Sequence, residues 1–210
     1  MVGRFISLEG GEGAGKSTLA RALEAKLIAL GKTVIVTREP GGTPGAELIR
    51  DLLVTGSVDR WSPLTELCLF YAARGDHLER VIRPALARGD WVLCDRFADS
   101  TMAYQGHASG AGRDAVHAMD QLIVAPTFPH LTLLLDLDVT VGLARAAARR
   151  GSETRFEDKE RAFHERLREA YRTIAADNPD RCVVLDASVP PDAVADAAWH
   201  FLRDRLGSAL

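Results

Sequence analysis

Gly10-Gly11-Glu12-Gly13-Ala14-Gly15-Lys16-Ser17 is the stretch whose reading decides the fold. It satisfies G-x-x-x-x-G-K-[ST], and each part of that pattern has a chemical reason. Glycines let the chain curl until consecutive backbone N–H groups converge on one point, a nest for phosphate oxygens. A helix opening at Ser17 and Thr18 brings the positive end of its dipole to the same point. Lys16 can then reach the β- and γ-phosphates of a nucleoside triphosphate, and the Ser17 hydroxyl can ligate Mg²⁺. Chance matches occur, so context matters. The apolar run Phe5–Leu8 before the motif reads as a strand, and Leu19, Leu23, Leu27 and Leu30 after it recur at helical spacing up to Gly31. A glycine-rich turn with an exposed lysine is the poorer account of such a strand–loop–helix unit.

Outward from this unit, short apolar runs alternate with longer helix-period stretches. Further strands are predicted at Thr33–Thr37, Trp91–Cys94, Leu131–Leu135 and Cys182–Leu185, rich in Val, Ile and Leu with little polar alternation, as strands covered on both faces should be. Leu64, Leu67, Cys68, Tyr71, Leu78 and Ile82 mark a long helix with Pro84 near its end. Val139–Arg150, Phe163–Ala176 and Pro191–Leu206 read as helices, and the amphipathic part from Asp192 onward is expected to pack back on the sheet. Three loops interrupt the pattern: Gly10–Gly15, Glu39–Gly45 and Arg150–Glu157. The fold class is α/β: a P-loop NTPase-type parallel five-stranded sheet, helices on both faces, in one domain spanning 1–210.

The 210 residues carry a net charge of −3, which gives no global attraction to nucleic acid or to a membrane surface. Any anion site must therefore be local. Cys68, Cys94 and Cys182 are scattered and odd in number, which reads as buried free thiols rather than a disulfide or zinc framework. The run Phe5–Leu8 ends at Glu9, too short for a signal peptide, and a cytoplasmic location is expected. Arginine greatly outnumbers lysine. Base composition of the gene accounts for that as well as phosphate binding does, so only arginines at telling positions count.

A P-loop leaves the fate of the γ-phosphate open. The guanine-reading N-K-x-D is missing from the sequence, which speaks against a GTPase. Four further blocks join Leu8-Glu9-Gly10 through Thr18: Thr37-Arg38-Glu39-Pro40-Gly41-Gly42-Thr43, Phe70-Tyr71-Ala72-Ala73-Arg74, Asp95-Arg96-Phe97 and Ser100-Thr101-Met102-Ala103-Tyr104-Gln105. In order and spacing these five blocks resemble the thymidylate kinase family of bacterial type, and the resemblance extends across nearly the whole chain. It implies transfer of a phosphoryl group from ATP to dTMP with Mg²⁺, giving ADP and dTDP, in a homodimer.

The residues suit those roles. Two unit charges 4 Å apart repel by about 4 kcal/mol at an effective dielectric of 20, so cations must stand on both sides of the transferred group. Lys16 serves the donor. Arg38 and Arg96, at the ends of the second and third strands, are candidates for the acceptor phosphate, because ligands gather at strand C-termini in open parallel sheets. Asp95, ending an apolar strand, is a candidate for Mg²⁺ beside Ser17; a helix cap or a salt bridge to Arg96 is its alternative. Phe70 and Arg74 lie four apart on one helix face, ring and guanidinium suited to stack on a base and donate to its carbonyl. The resemblance assigns Glu12 to the acceptor sugar's 3′-hydroxyl, Ser100 and Thr101 to the base, and Tyr104 to the sugar, with Gln105 beside them. Pro40 is a candidate for shaping the turn that presents Arg38.

Arg145, Arg149, Arg150 and Arg155 flank Gly151-Ser152-Glu153, a lid over approximately 145–157. The resemblance implies that such a lid closes over ATP and supplies a transition-state arginine, with Arg149 and Arg155 the candidates and Arg145 against the adenine. A solvated charged loop is the alternative. This chain reads Thr154 where the family often has Asp before the arginine. Rival readings are another small P-loop kinase with a different acceptor, or a nucleotide-dependent switch.

Overall fold

The computed structural model describes residues 3–148, 155–157 and 159–210. Five strands form one parallel sheet: β1 Arg4–Glu9, β2 Val34–Arg38, β3 Trp91–Asp95, β4 Leu131–Asp136 and β5 Cys182–Asp186, in the order β2-β3-β1-β4-β5. All five coincide with the predicted apolar runs within a residue at each end. Burial explains why: β1, β3 and β4 are covered almost throughout, whereas edge strand β2 is only half-covered.

The helices are α1 Lys16–Ala29, α2 Pro44–Val54, α3 Pro63–His77, α4 Arg83–Arg88, α5 Ala98–Thr101, α6 Arg113–Met119, α7 Val139–Ala147, α8 Arg161–Asp177 and α9 Pro191–Leu206. The long helix expected from Leu64 is α3 carried through a π-helical turn at Leu78–Ile82 into α4, with Pro84 just after that turn, where the widened register relieves its missing N–H. Similar wide turns extend α5 over Met102–Ala108 and α6 over Asp120–Val124.

Two apolar clusters lie on opposite faces of the sheet. Phe5, Tyr71, Val92, Phe97, Val116 and Phe163 build one. Leu8, Leu23, Leu93, Leu133, Val194 and Leu202 build the other, so α9 does pack back on the sheet as its amphipathic pattern requires. Burying one such leucine contributes about 1.5–3 kcal/mol. Cys94 and Cys182 are buried thiols, but Cys68 is exposed on α3: its helical spacing was right, and the face it occupies points outward.

Two helices escape the sequence reading. For α2 a signal existed: Thr43 caps it, accepting from Ala46 N–H at 3.0 Å, with Pro44 in the first turn. The Gly/Pro density of Glu39–Gly45 masks that Thr-Pro start in the sequence. For α6 a signal existed too: Ala115, Val116, Ala118 and Met119 lie at helical spacing after Gly112.

Candidate active site

β1 ends in Glu9 and the chain turns at once into the Gly10–Gly15 loop. Gly10 (φ 136°) and Gly13 (φ 68°) occupy conformations that side chains rarely adopt, and a Cβ at Gly13 would run into the carbonyl of Gly142 on α7. The loop delivers Lys16 into the first turn of α1, whose N-cap residue Gly15 offers no side-chain partner; Thr18 and Leu19 N–H close on the Gly15 carbonyl, leaving the N–H groups of Lys16 and Ser17 for an anion. Buried Lys16 donates to the carbonyls of Gly10 (3.1 Å) and Gly11 (2.9 Å). Burial, then the charge of Arg96, lowers its pKa to about 8.

A cleft of about 580 Å³ opens beside this loop, lined by Glu12–Thr18 on one side and Arg38, Phe70, Arg74, Asp95, Arg96, Ser100, Thr101, Tyr104 and Gln105 on the other. Three separate strand ends and two helices therefore converge as the five motif blocks required. Ser17 Oγ donates to Asp95 Oδ2 at 2.8 Å, so the two candidate metal ligands are neighbours. A hydroxyl and a single carboxylate form a hard oxygen set that fits Mg²⁺ completed by phosphate and water.

Arg96 is the hub. It is the described non-glycine residue with positive φ (69°), in a region costing about 1–2 kcal/mol for an L-residue. That turn swings its guanidinium back over β1: Nη1 donates to Gly10 O (3.0 Å), Tyr171 Oη (3.1 Å) and Ser100 Oγ (3.4 Å), and Nη2 to Glu12 Oε1 (2.8 Å). Tyr104 Oη donates to the same Glu12 oxygen at 2.7 Å. Burial opposes the Glu12 charge, but Arg96 and Lys16 outweigh it and hold the carboxyl down at about 2. Arg38 lies at the cleft edge, paired with Glu47 on α2 at 3.0 Å.

Arg74 is buried. Its Nε donates to Glu39 (2.7 Å) and Nη2 to Thr101 Oγ1 (2.9 Å), while Nη1 has no partner. The guanidinium lies over the rings of Tyr71 (5.0 Å) and Phe97 (5.1 Å), whose faces offset part of that missing hydrogen bond. Glu39 also meets His77 Nδ1 at 3.0 Å, and the Glu39–Pro40 peptide is cis.

Two lid expectations part ways with the structure or fall outside it. Arg149 lies outside the described residues. Arg155 does not line the cleft: its guanidinium is buried among carbonyls and the carboxylate of Glu66, whose charge it neutralises more completely than a solvent-facing site would allow. Arg145 is exposed on α7 and reaches the carbonyl of Ala187 in the loop after β5 at 3.4 Å.

The sequence reading overlooked Glu9, Glu39, Arg50 and Tyr171. Glu9, fully buried, accepts from Phe97 N–H (2.8 Å) and Ser100 Oγ (2.5 Å), and burial with the nearby Asp99 pushes its pKa up to about 7. Its signal was present, since Glu9 ends an apolar strand just as Asp95 does. Glu39 sat within a quoted block. Arg50 lines the cleft from α2 and was lost with that helix.

A parallel sheet in this strand order, with a glycine loop feeding a helix and a second cationic wall facing it, defines a P-loop nucleotide-binding α/β protein. The family model for thymidylate kinase matches residues 8–198. The chain is 60% identical over 205 residues to the thymidylate kinase of Caulobacter vibrioides, covering 98% of each, and 54% identical to that of Bradyrhizobium diazoefficiens, covering 97% of this chain and 90% of the relative. It also superposes on the crystal structure of thymidylate kinase from Ehrlichia chaffeensis with a TM-score of 0.77 at 31% identity, over 96% of this chain and 99% of that one. This chain belongs to the thymidylate kinase family.

Proposed function

We propose that the protein transfers the γ-phosphoryl group of ATP to the 5′-phosphate of dTMP. The observation that carries this is the two-sided cleft: Lys16 and the N-terminus of α1 on one wall, Arg96, Arg38 and Arg74 on the other. In this reading ATP lies along Gly10–Thr18 with its adenine near Arg145. The dTMP phosphate lies between Arg38 and Arg96, and the base meets Phe70, Arg74, Ser100, Thr101 and Gln105. Glu12, kept ionised, accepts the sugar 3′-hydroxyl, and Tyr104 crowds the position a ribose 2′-hydroxyl would take. Mg²⁺, when bound at Ser17 and Asp95, would offset charge on the donor phosphates. Lys16 and Arg96 then stabilise the transferring group from opposite sides, with Arg149 the candidate from a lid over approximately 145–157.

The test is a coupled ADP-release assay across dTMP, dUMP, UMP, AMP and thymidine. Strong stimulation by dTMP is expected; preference for AMP, or for a nucleoside without phosphate, would sink the reading. A second expectation concerns pH. Lys16 must be charged to hold ATP, and its free-protein pKa is lowered to about 8 from 10.5. kcat/KM for ATP should therefore fall as pH rises through about 8, because that parameter reports the free enzyme's groups. A flat profile to pH 9.5, well below the ordinary lysine range of about 10.4, would overturn the assignment.

We also propose a homodimer in the cytoplasm. Leu48 and Leu52 on α2, Leu64 on α3 and Leu122 after α6 are exposed on elements that pack side by side, an apolar area suited to a second copy. No described helix is long and apolar enough to cross a membrane.

A further inference from the structure

Arg155 is among the most completely buried large side chains in the described structure. Nε donates to Ser57 O (3.0 Å), Nη1 to Leu53 O (2.9 Å) and Nη2 to Val58 O (3.0 Å), while Nη2 also meets Glu66 Oε2 at 2.6 Å. Those carbonyls belong to the end of α2 and the loop after it, and Glu66 to the first turn of α3. All three nitrogens are thus committed to the acceptor half of the molecule. A buried ion pair of this kind is costly to form and costlier to break from one side, so it holds its segment in place.

What it holds is Phe156. This half-buried ring lies 6.1 Å from Phe70 and stands edge-on to Tyr104 at 5.6 Å, and it lines the cleft beside Gln105 and Glu157. Lys159 Nζ sits over both Phe156 and Phe163, covering the outer side. The clasp is also wired to the pocket directly, because Glu66 Oε1 accepts from Gln105 Nε2 at 2.8 Å.

We propose that Phe156 is a specificity-determining residue for the acceptor nucleotide, forming the outer wall of its base pocket, and that the Arg155–Glu66 pair is the clasp that positions it. The inference rests on the dTMP reading above and assigns Arg155 to the acceptor side instead of the donor side. The arrangement is amphipathic by design of the chain: one residue is bound by charge and carbonyls, and its neighbour contributes only ring surface. The Phe70 and Phe156 rings meet at 52°, so a base stacked on Phe70 would meet the Phe156 ring at its outer edge, and ring surface closes the pocket there at little entropic cost.

The experiment compares Phe156→Ala, Phe156→Tyr and Glu66→Gln by steady-state kinetics and by calorimetry of dTMP binding without ATP. Phe156→Ala should raise the KM and Kd for dTMP about tenfold, with the KM for ATP changed less than about twofold, and Phe156→Tyr should restore both. Glu66→Gln should reproduce the dTMP defect, and adding Phe156→Ala to it should cost less than about twofold more, since the two act as one unit. Thermal melts check folding, and the half-buried Phe156 variants keep the test open if Glu66→Gln does not fold. A raised KM for ATP with dTMP binding unchanged overturns the inference and returns this segment to the donor side. If the wild type fails to phosphorylate dTMP, the proposed function itself has fallen and takes this inference with it. If the wild type turns over dTMP and Phe156→Ala leaves its KM unchanged, this inference alone is lost.

Discussion

Lys16→Ala should lower kcat by at least about 10² to 10³-fold, the range seen when one preorganised charge stabiliser is removed from a transition state. The protein should stay folded, because only two hydrogen bonds are lost, to the carbonyls of Gly10 and Gly11, and Lys16 itself lines the cleft, where water can enter in its place. A net cost of about 1 kcal/mol for a hydrogen bond bounds the stability change. Circular dichroism melts beside stopped-time ADP assays separate the two effects. Turnover within a few-fold of wild type would remove Lys16 from the chemistry.

Arg96 carries the second large effect and needs a control for its backbone. Alanine at φ 69° retains the strain while deleting every contact of the guanidinium; glycine releases the strain and deletes the same contacts. Both Arg96→Ala and Arg96→Gly should lower kcat/KM for dTMP by about 10² to 10³-fold, in line with 2–5 kcal/mol for truncating one partner of a buried charge pair. Glu12 loses its main counter-charge in either variant, so its carboxyl should rise from about 2 toward the ordinary range. Agreement between the variants attributes the loss to the guanidinium. If Arg96→Gly keeps near-normal activity while Arg96→Ala does not, the backbone turn is what matters.

Much of the site was legible because its chemistry demands particular residues at particular spacings. A phosphate nest needs glycines followed by Lys-Ser, and Lys16 and Ser17 lie where that demand puts them. Arg38, Asp95 and Arg96 could be placed because apolar runs locate strand ends, and parallel strands present those ends on one edge. Glu9 and Glu39 were harder to read. A carboxylate beside the anion site opposes the obvious electrostatics, and the purpose of each emerges only once Ser100 and Phe97 N–H are seen to converge on Glu9, and Arg74 and His77 on Glu39. Cys68 fell on the correct helix and the wrong face, since period alone leaves open which neighbour covers a stripe.

Arg155 marks the boundary between the two kinds of information. Its place in a charged, glycine-bearing segment suggested a mobile hand over ATP. Whether a guanidinium serves a phosphate or a buried carboxylate depends on which acceptors lie within hydrogen-bond reach, and Leu53, Ser57, Val58 and Glu66 come from about 90 to 100 residues earlier in the chain. By itself the sequence determined the five-stranded parallel sheet, the phosphate loop and the family, because local periodicity and backbone chemistry are written in consecutive residues. The tertiary structure alone decided how each charge is partnered, for pairing energies depend on distance and burial, and neither exists until the chain has folded.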